Sequence, residues 1–76
     1  MSFIKKVIPR ENYRLEVQLG NGSSVILNLE FRLGSVRFCL LADQKFFNRV
    51  TTDGKFIRWD DQIEIFLREL FQLVQQ

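Results

Sequence analysis

Residues 13–31, YRLEVQLGNGSSVILNLEF, constrain this chain more than any other stretch. Tyr13, Leu15, Val17 and Leu19 alternate with Arg14, Glu16 and Gln18, which is the period of a half-buried strand. Val25, Leu27 and Leu29 repeat that period after Gly20-Asn21-Gly22. A two-residue Asn21-Gly22 loop would set Val17 against Ile26 and Leu15 against Asn28. A three-residue loop over 20–22 instead sets Leu15 against Leu27, Val17 against Val25 and Tyr13 against Leu29, with every apolar residue on one face. A slip of one residue turns the whole set over, so the three-residue loop is expected, as a type I turn with Gly22 left-handed in a G1 bulge. A chain built around this ribbon must find something to cover its greasy side.

The remaining segments supply the cover. FIKKVI, 3–8, reads as a short strand whose pairing Pro9 stops. Gly34 breaks the middle of the chain. VRFCL, 36–40, reads as a short strand, and 42–50 as a helical turn with Asp43 as its N-cap and Phe46 and Phe47 facing inward. Asp53-Gly54 marks a hairpin whose two-residue loop pairs Val50 with Ile57 and Arg49 with Arg58. Asp60-Asp61-Gln62 then reads as a three-residue loop pairing Trp59 with Ile63, Arg58 with Glu64 and Ile57 with Ile65. That loop wants Gln62 left-handed, at a cost of about 1 kcal/mol relative to Gly. In the C-terminal segment Phe66, Leu67, Leu70, Phe71, Leu73 and Val74 share a helical arc of about 160°, with Arg68, Glu69, Gln72, Gln75 and Gln76 on the other side. The expected architecture is α+β in one domain, residues 1–76. It has a small antiparallel sheet of about five to six short strands (a hairpin plus a meander), a short helical turn near 43–48, and a C-terminal amphipathic helix packed on one face.

Size makes the core of such a domain marginal, since a chain of 76 residues buries only about 60–65% of the surface its unfolded form exposes. Eight Phe, one Trp and one Tyr offset this with large apolar areas. A single cysteine, Cys39, excludes an internal disulfide and is expected as a small buried hydrophobe. The N-terminus has no apolar run of a secretory signal, and no stretch approaches the roughly 20 apolar residues of a membrane span. A cytoplasmic protein is expected.

Chemistry is sparse. There is no histidine, the commonest general base and metal ligand. Asp60 and Asp61 are neighbours in a turn and splay into water instead of facing each other across a cleft. The Asp-Gly and Asp-Asp turns are too short for a calcium loop, and Gly20-Asn21-Gly22 lacks the strand-to-helix setting of a phosphate loop. No enzyme, no cofactor and no metal are expected. The formal net charge of +2 is too small to argue for nucleic acid. Arg37, Arg49 and Arg58 with Lys55 and Phe56 can still form an outward row able to stack a base, although Glu64 beside Arg58 makes that row mixed in charge.

The same residues carry a resemblance. Tyr13, Leu15, Asn21, Gly22, Arg37, Phe38, Leu41, Asp43, Phe47, Val50, Trp59 and Asp60, spread over nearly the whole chain, resemble the pattern of the bacterial family catalogued as domain of unknown function 2442. The resemblance implies a small antiparallel sheet with one or two helices. It also implies an interaction or regulatory module, because family members are often encoded beside another small protein in a toxin–antitoxin-like arrangement. Cys39 and Leu40 stand where many members have Gly and Pro, Gln62 where a turn Gly is usual, and Phe66 where a helix cap is usual. No catalytic residue carries over.

Together these expectations describe a protein-interaction module, the antitoxin-like half of a two-protein system, with another small protein or a second copy of itself as partner and no membrane. Its expected contact surface is Arg37, Arg49, Phe56, Arg58 and Glu64. The alternatives are a nucleic-acid-associated regulator using the Arg-bearing sheet face, and a homo-oligomeric structural domain.

Overall fold

Two three-stranded antiparallel sheets and a short C-terminal helix make up the computed structural model, which describes residues 3–74. The first sheet joins β1 (Ile4–Arg10), β2 (Arg14–Leu19) and β3 (Ser24–Asn28) in that order; the second joins β4 (Thr51–Thr52), β5 (Phe56–Trp59) and β6 (Ile63–Phe66). Between them lie 3₁₀ turns at Glu30–Arg32 and Cys39–Ala42 and the single-turn helix α1 (Gln44–Phe47); α2 (Leu67–Val74) closes the described chain. The α+β architecture is the one expected, and its strands are divided between two sheets.

The β2–β3 register is the expected one. Leu15 lies opposite Leu27 and Val17 opposite Val25, and the Leu29 N–H donates to the Tyr13 carbonyl at 3.0 Å. The turn is closed by the Gly22 N–H on the Leu19 carbonyl (3.1 Å) and the Leu19 N–H on the Ser23 carbonyl (2.8 Å), with Gly22 at φ +91°. Pro9 does not end β1, which runs on to Arg10. Leu15, facing Pro9, already directs its backbone toward β3, so the proline's missing donor faces the sheet edge, where no ladder bond is lost.

The second meander is partly as expected. Trp59 pairs with Ile63, Arg58 with Glu64 and Ile57 with Ile65. Its first loop is longer than expected: Thr52 pairs with Ile57 and Thr51 with Arg58, a shift of two residues from the two-residue Asp53-Gly54 loop. Asp53 explains the extra length, because its carboxylate accepts from the N–H groups of Lys55 (3.0 Å) and Phe56 (3.1 Å), and Thr52 Oγ1 donates to the Phe56 carbonyl at 2.6 Å. A shift of two keeps every side chain on its face. In the second loop Asp60, not Gln62, takes the left-handed conformation (φ +52°), which aspartate tolerates better than most residues.

The middle of the chain departs most. Residues 36–40 form no strand. Phe38 and Leu41, three residues apart, are the buried pair, while Val36 is 95% exposed and Leu40 is exposed. That spacing suits a 3₁₀ turn, where positions i and i+3 align. Cys39 is consequently on the surface, its thiol 3.4 Å from the Val36 carbonyl, and not in the core. Asp43 caps α1 as expected, accepting from the Lys45 N–H at 3.0 Å; Phe47 is buried and Phe46 packs beside it.

One core receives the inner faces of both sheets: Leu15, Val17 and Leu27 from the first, Ile57, Trp59, Ile63 and Ile65 from the second, Phe47 from α1, and Leu70 and Leu73 from α2. Trp59 is fully enclosed, donates from Nε1 to the Phe47 carbonyl (2.9 Å) and stacks on the Phe47 ring at 6.1 Å. Tyr13 meets Phe47 edge-on at 5.5 Å and sends its hydroxyl to the Ala42 carbonyl at 2.6 Å, tying the first hairpin to the middle segment. The helical arc is narrower than the sequence indicates: Phe66 ends β6 instead of starting the helix, and Phe71 is exposed. Gln75 and Gln76, expected on the helix's polar side, lie outside the described residues.

Candidate functional site

Alternation along β5 and β6 decides which side chains are available to a partner. Ile57, Trp59, Ile63 and Ile65 point to the core, so Phe56, Arg58, Glu64 and Phe66 must form the opposite face. Phe56 and Phe66 sit opposite each other, with ring centroids 4.4 Å apart. The Arg58 guanidinium lies 4.6 Å above the Phe56 ring, and two carboxylates hold it there, Glu64 at 2.8 Å and Asp53 at 3.2 Å. An arginine stacked on a ring and forked between two acids has lost most of its freedom before any partner arrives. The Asp53 carboxyl is held below its ordinary pKa, first by the backbone N–H of Lys55, then by that of Phe56.

The expected contact residues divide. Phe56, Arg58 and Glu64 form one cluster. Arg49 stands apart at the end of the meander, bound to Asp60 at 3.2 Å. Arg37 has a structural duty: its guanidinium forks onto the Glu69 carboxylate of α2 and donates to the Glu64 carbonyl at 2.8 Å. The Glu64 carbonyl lies on the edge of β6 away from β5, so Arg37 occupies a group that an incoming strand would otherwise pair with. The same fork holds the Glu69 carboxyl below its ordinary pKa and raises that of Arg37.

Beside this face runs a groove that sequence reasoning did not find, lined by Lys55, Phe66, Leu67, Arg68, Glu69 and Gln72. It exists because β6 passes into α2 without a loop. The Leu67 N–H, the first of the helix, donates to the Lys55 carbonyl at 3.0 Å, docking the hairpin against the helix start. That bond satisfies one of the helix's first N–H groups, at a helix start with no capping side chain at Phe66. Phe66 forms the wall between groove and sheet face and is 56% exposed. The sequence places Phe66 in the apolar arc of the helix, whereas it ends β6 and faces outward, and nothing in the local pattern foretells that Lys55 and Arg68 line one groove beside it.

The outer face of the first sheet is different in kind. Arg10 and Glu16 pair at 2.8 Å, and Gln18 donates to Glu16 at 2.9 Å, lowering the Glu16 pKa. Ile26 is an exposed apolar side chain there, and Phe3 is exposed at the end of the sheet against Gly20.

No family model, curated protein or solved structure matches this chain. No group of acidic, cysteine or histidine side chains among the described residues could hold a metal ion, and no helix among them is long and apolar enough to cross a membrane.

Proposed function

We propose that this chain is a protein-interaction module that works by docking, not by turnover, and that its docking face is the outer side of β5 and β6. The observation that carries this reading is the Phe56–Phe66 pair, Phe66 exposed and Phe56 half-buried beneath Arg58, with neither ring in the core. Exposed aromatic area next to a preorganised arginine is the composition of an interface centre. The Arg37 fork at the β6 edge favours contact through the face over addition of a strand. The resemblance to domain of unknown function 2442 supports one half of a bacterial, cytoplasmic two-protein module, the neutralising half, with the sheet face covering its partner's working surface.

The nucleic-acid reading draws less support, because Arg37, Arg49 and Arg58 each face a carboxylate. A stripe of neutralised arginines has few charges left for phosphates. The test is retention of a partner by the immobilised chain in moderate salt. Phe66→Ser and Arg58→Glu should abolish retention, and Ile26→Ser on the other sheet should leave it unchanged. Equal retention by all variants would overturn the face assignment.

A further inference from the structure

The groove beside the docking face has a charge pattern of its own. Lys55 and Arg68 line it and are exposed, and neither takes part in an ion pair among the described residues. The one carboxylate in its wall, Glu69, is already forked by Arg37. The rest of the lining is mainly apolar, from Phe66 and Leu67. Two positive charges outside any ion pair among the described residues, in the lining of an apolar trough, are complementary to a chain that carries acids around a large apolar side chain.

We propose that this groove seats an acidic, extended segment of the partner protein, with carboxylates on Lys55 and Arg68 and an aliphatic or aromatic side chain against Phe66 and Leu67. The inference rests on the docking reading above and names the chemistry of what docks. A peptide fits better than a small amphipathic anion for a geometric reason. The groove is open and its apolar surface continues over Phe66 onto Phe56, so a small ligand would leave most of its own body in water, whereas small-molecule sites enclose about 70–90% of theirs.

The test is amide chemical-shift mapping on the isotopically labelled full chain with three probes. These are a short capped peptide alternating Glu with Leu and Phe, the same peptide with Lys for every Glu, and sodium octanoate. The acidic peptide should shift the amides of residue 55 and of 66–72, and the basic peptide should not. K55E/R68E should weaken the acidic peptide by at least about tenfold and gain affinity for the basic one. Both positions are exposed, so the variant's spectrum should overlay the parent's away from the groove. Equal binding of the two peptides, an unchanged affinity in K55E/R68E, or no shifts with either peptide overturns the proposal. Shifts with octanoate alone overturn it in favour of a small amphipathic anion. A partner still captured through Phe66 and Arg58 but indifferent to K55E/R68E sinks the groove and spares the face. Indifference to Phe66→Ser and Arg58→Glu as well sinks both.

Discussion

The two sheets are built alike on the inside and differently on the outside. Each is a three-stranded meander whose inward positions alternate apart from a register shift between Ile4 and Lys6 in β1, Leu15 and Val17 in one, Ile57 and Trp59 in the other, and these enter the same core. Outside, the first sheet carries a self-satisfied polar network around Glu16 with Ile26 exposed beside it, the second a ring pair, Phe66 exposed and Phe56 half-buried, under a clamped arginine. Folding explains the inner faces completely. It explains the outer face of the first sheet, since charged side chains keep such a face soluble. It does not explain the exposed Phe66 ring packed beside Phe56 on the second, and that difference directs the functional reading there.

The comparison breaks most readily at the core. Trp59→Ala should destabilise the chain by about 3–5 kcal/mol and Leu15→Ala by about 2–5 kcal/mol in denaturant unfolding, in one shared transition. Separate transitions would mean two cores. Phe66→Ser and Ile26→Ser, one on each outer face, should each cost within about 1 kcal/mol. A larger loss for Phe66 would make it a core residue.

Arg37→Ala should cost about 1 kcal/mol, a figure kept small because the pair is partly exposed and screened. The same pair sets an acid dependence. Glu69 is held below its ordinary value of 4.5, chiefly by the hydrogen bond from Arg37. A carboxyl whose folded pKa is depressed adds stability that is present above its unfolded pKa and is lost as pH falls through the folded one. Unfolding measured across the acid range should therefore show stability falling below pH 4.5, and Arg37→Ala should flatten part of that fall. Glu16 and Asp53, also lowered, keep the remainder.

The hairpin turns give a smaller contrast. Gly22→Ala should destabilise by about 1 kcal/mol, because φ is +91° there although space is open. Asp60→Gly, at φ +52°, should stay within about 0.5 kcal/mol of neutral, relief of backbone strain being offset by chain entropy and the lost Arg49 pair.

What the sequence reveals follows the reach of each signal. Alternation between two strands and the length of a turn are local, so the β2–β3 and β5–β6 registers are legible, and with them the buried Trp59 and the Arg58–Glu64 pair. The β4–β5 loop is misjudged because Asp53 can cap its own turn, a side-chain bond that the Asp-Gly signal does not disclose. Residues 30–42 are illegible because 3₁₀ turns have no long apolar period; Phe38 and Leu41 are buried by where the chain lies, and Cys39 is turned outward by the same geometry. The groove is invisible for a stronger reason. Lys55 and Arg68 come from a loop and a helix joined by the Leu67–Lys55 backbone bond, and Arg37 reaches Glu69 across 32 residues of chain.

The most direct measurement is the affinity of Phe66→Ser for the acidic probe peptide, relative to the parent chain, on protein whose unfolding midpoint has been recorded. The expected result is a loss of at least about tenfold with stability within about 1 kcal/mol of the parent. Undiminished affinity, or a chain that unfolds before it can be titrated, would contradict the separation of a folding face from a docking face.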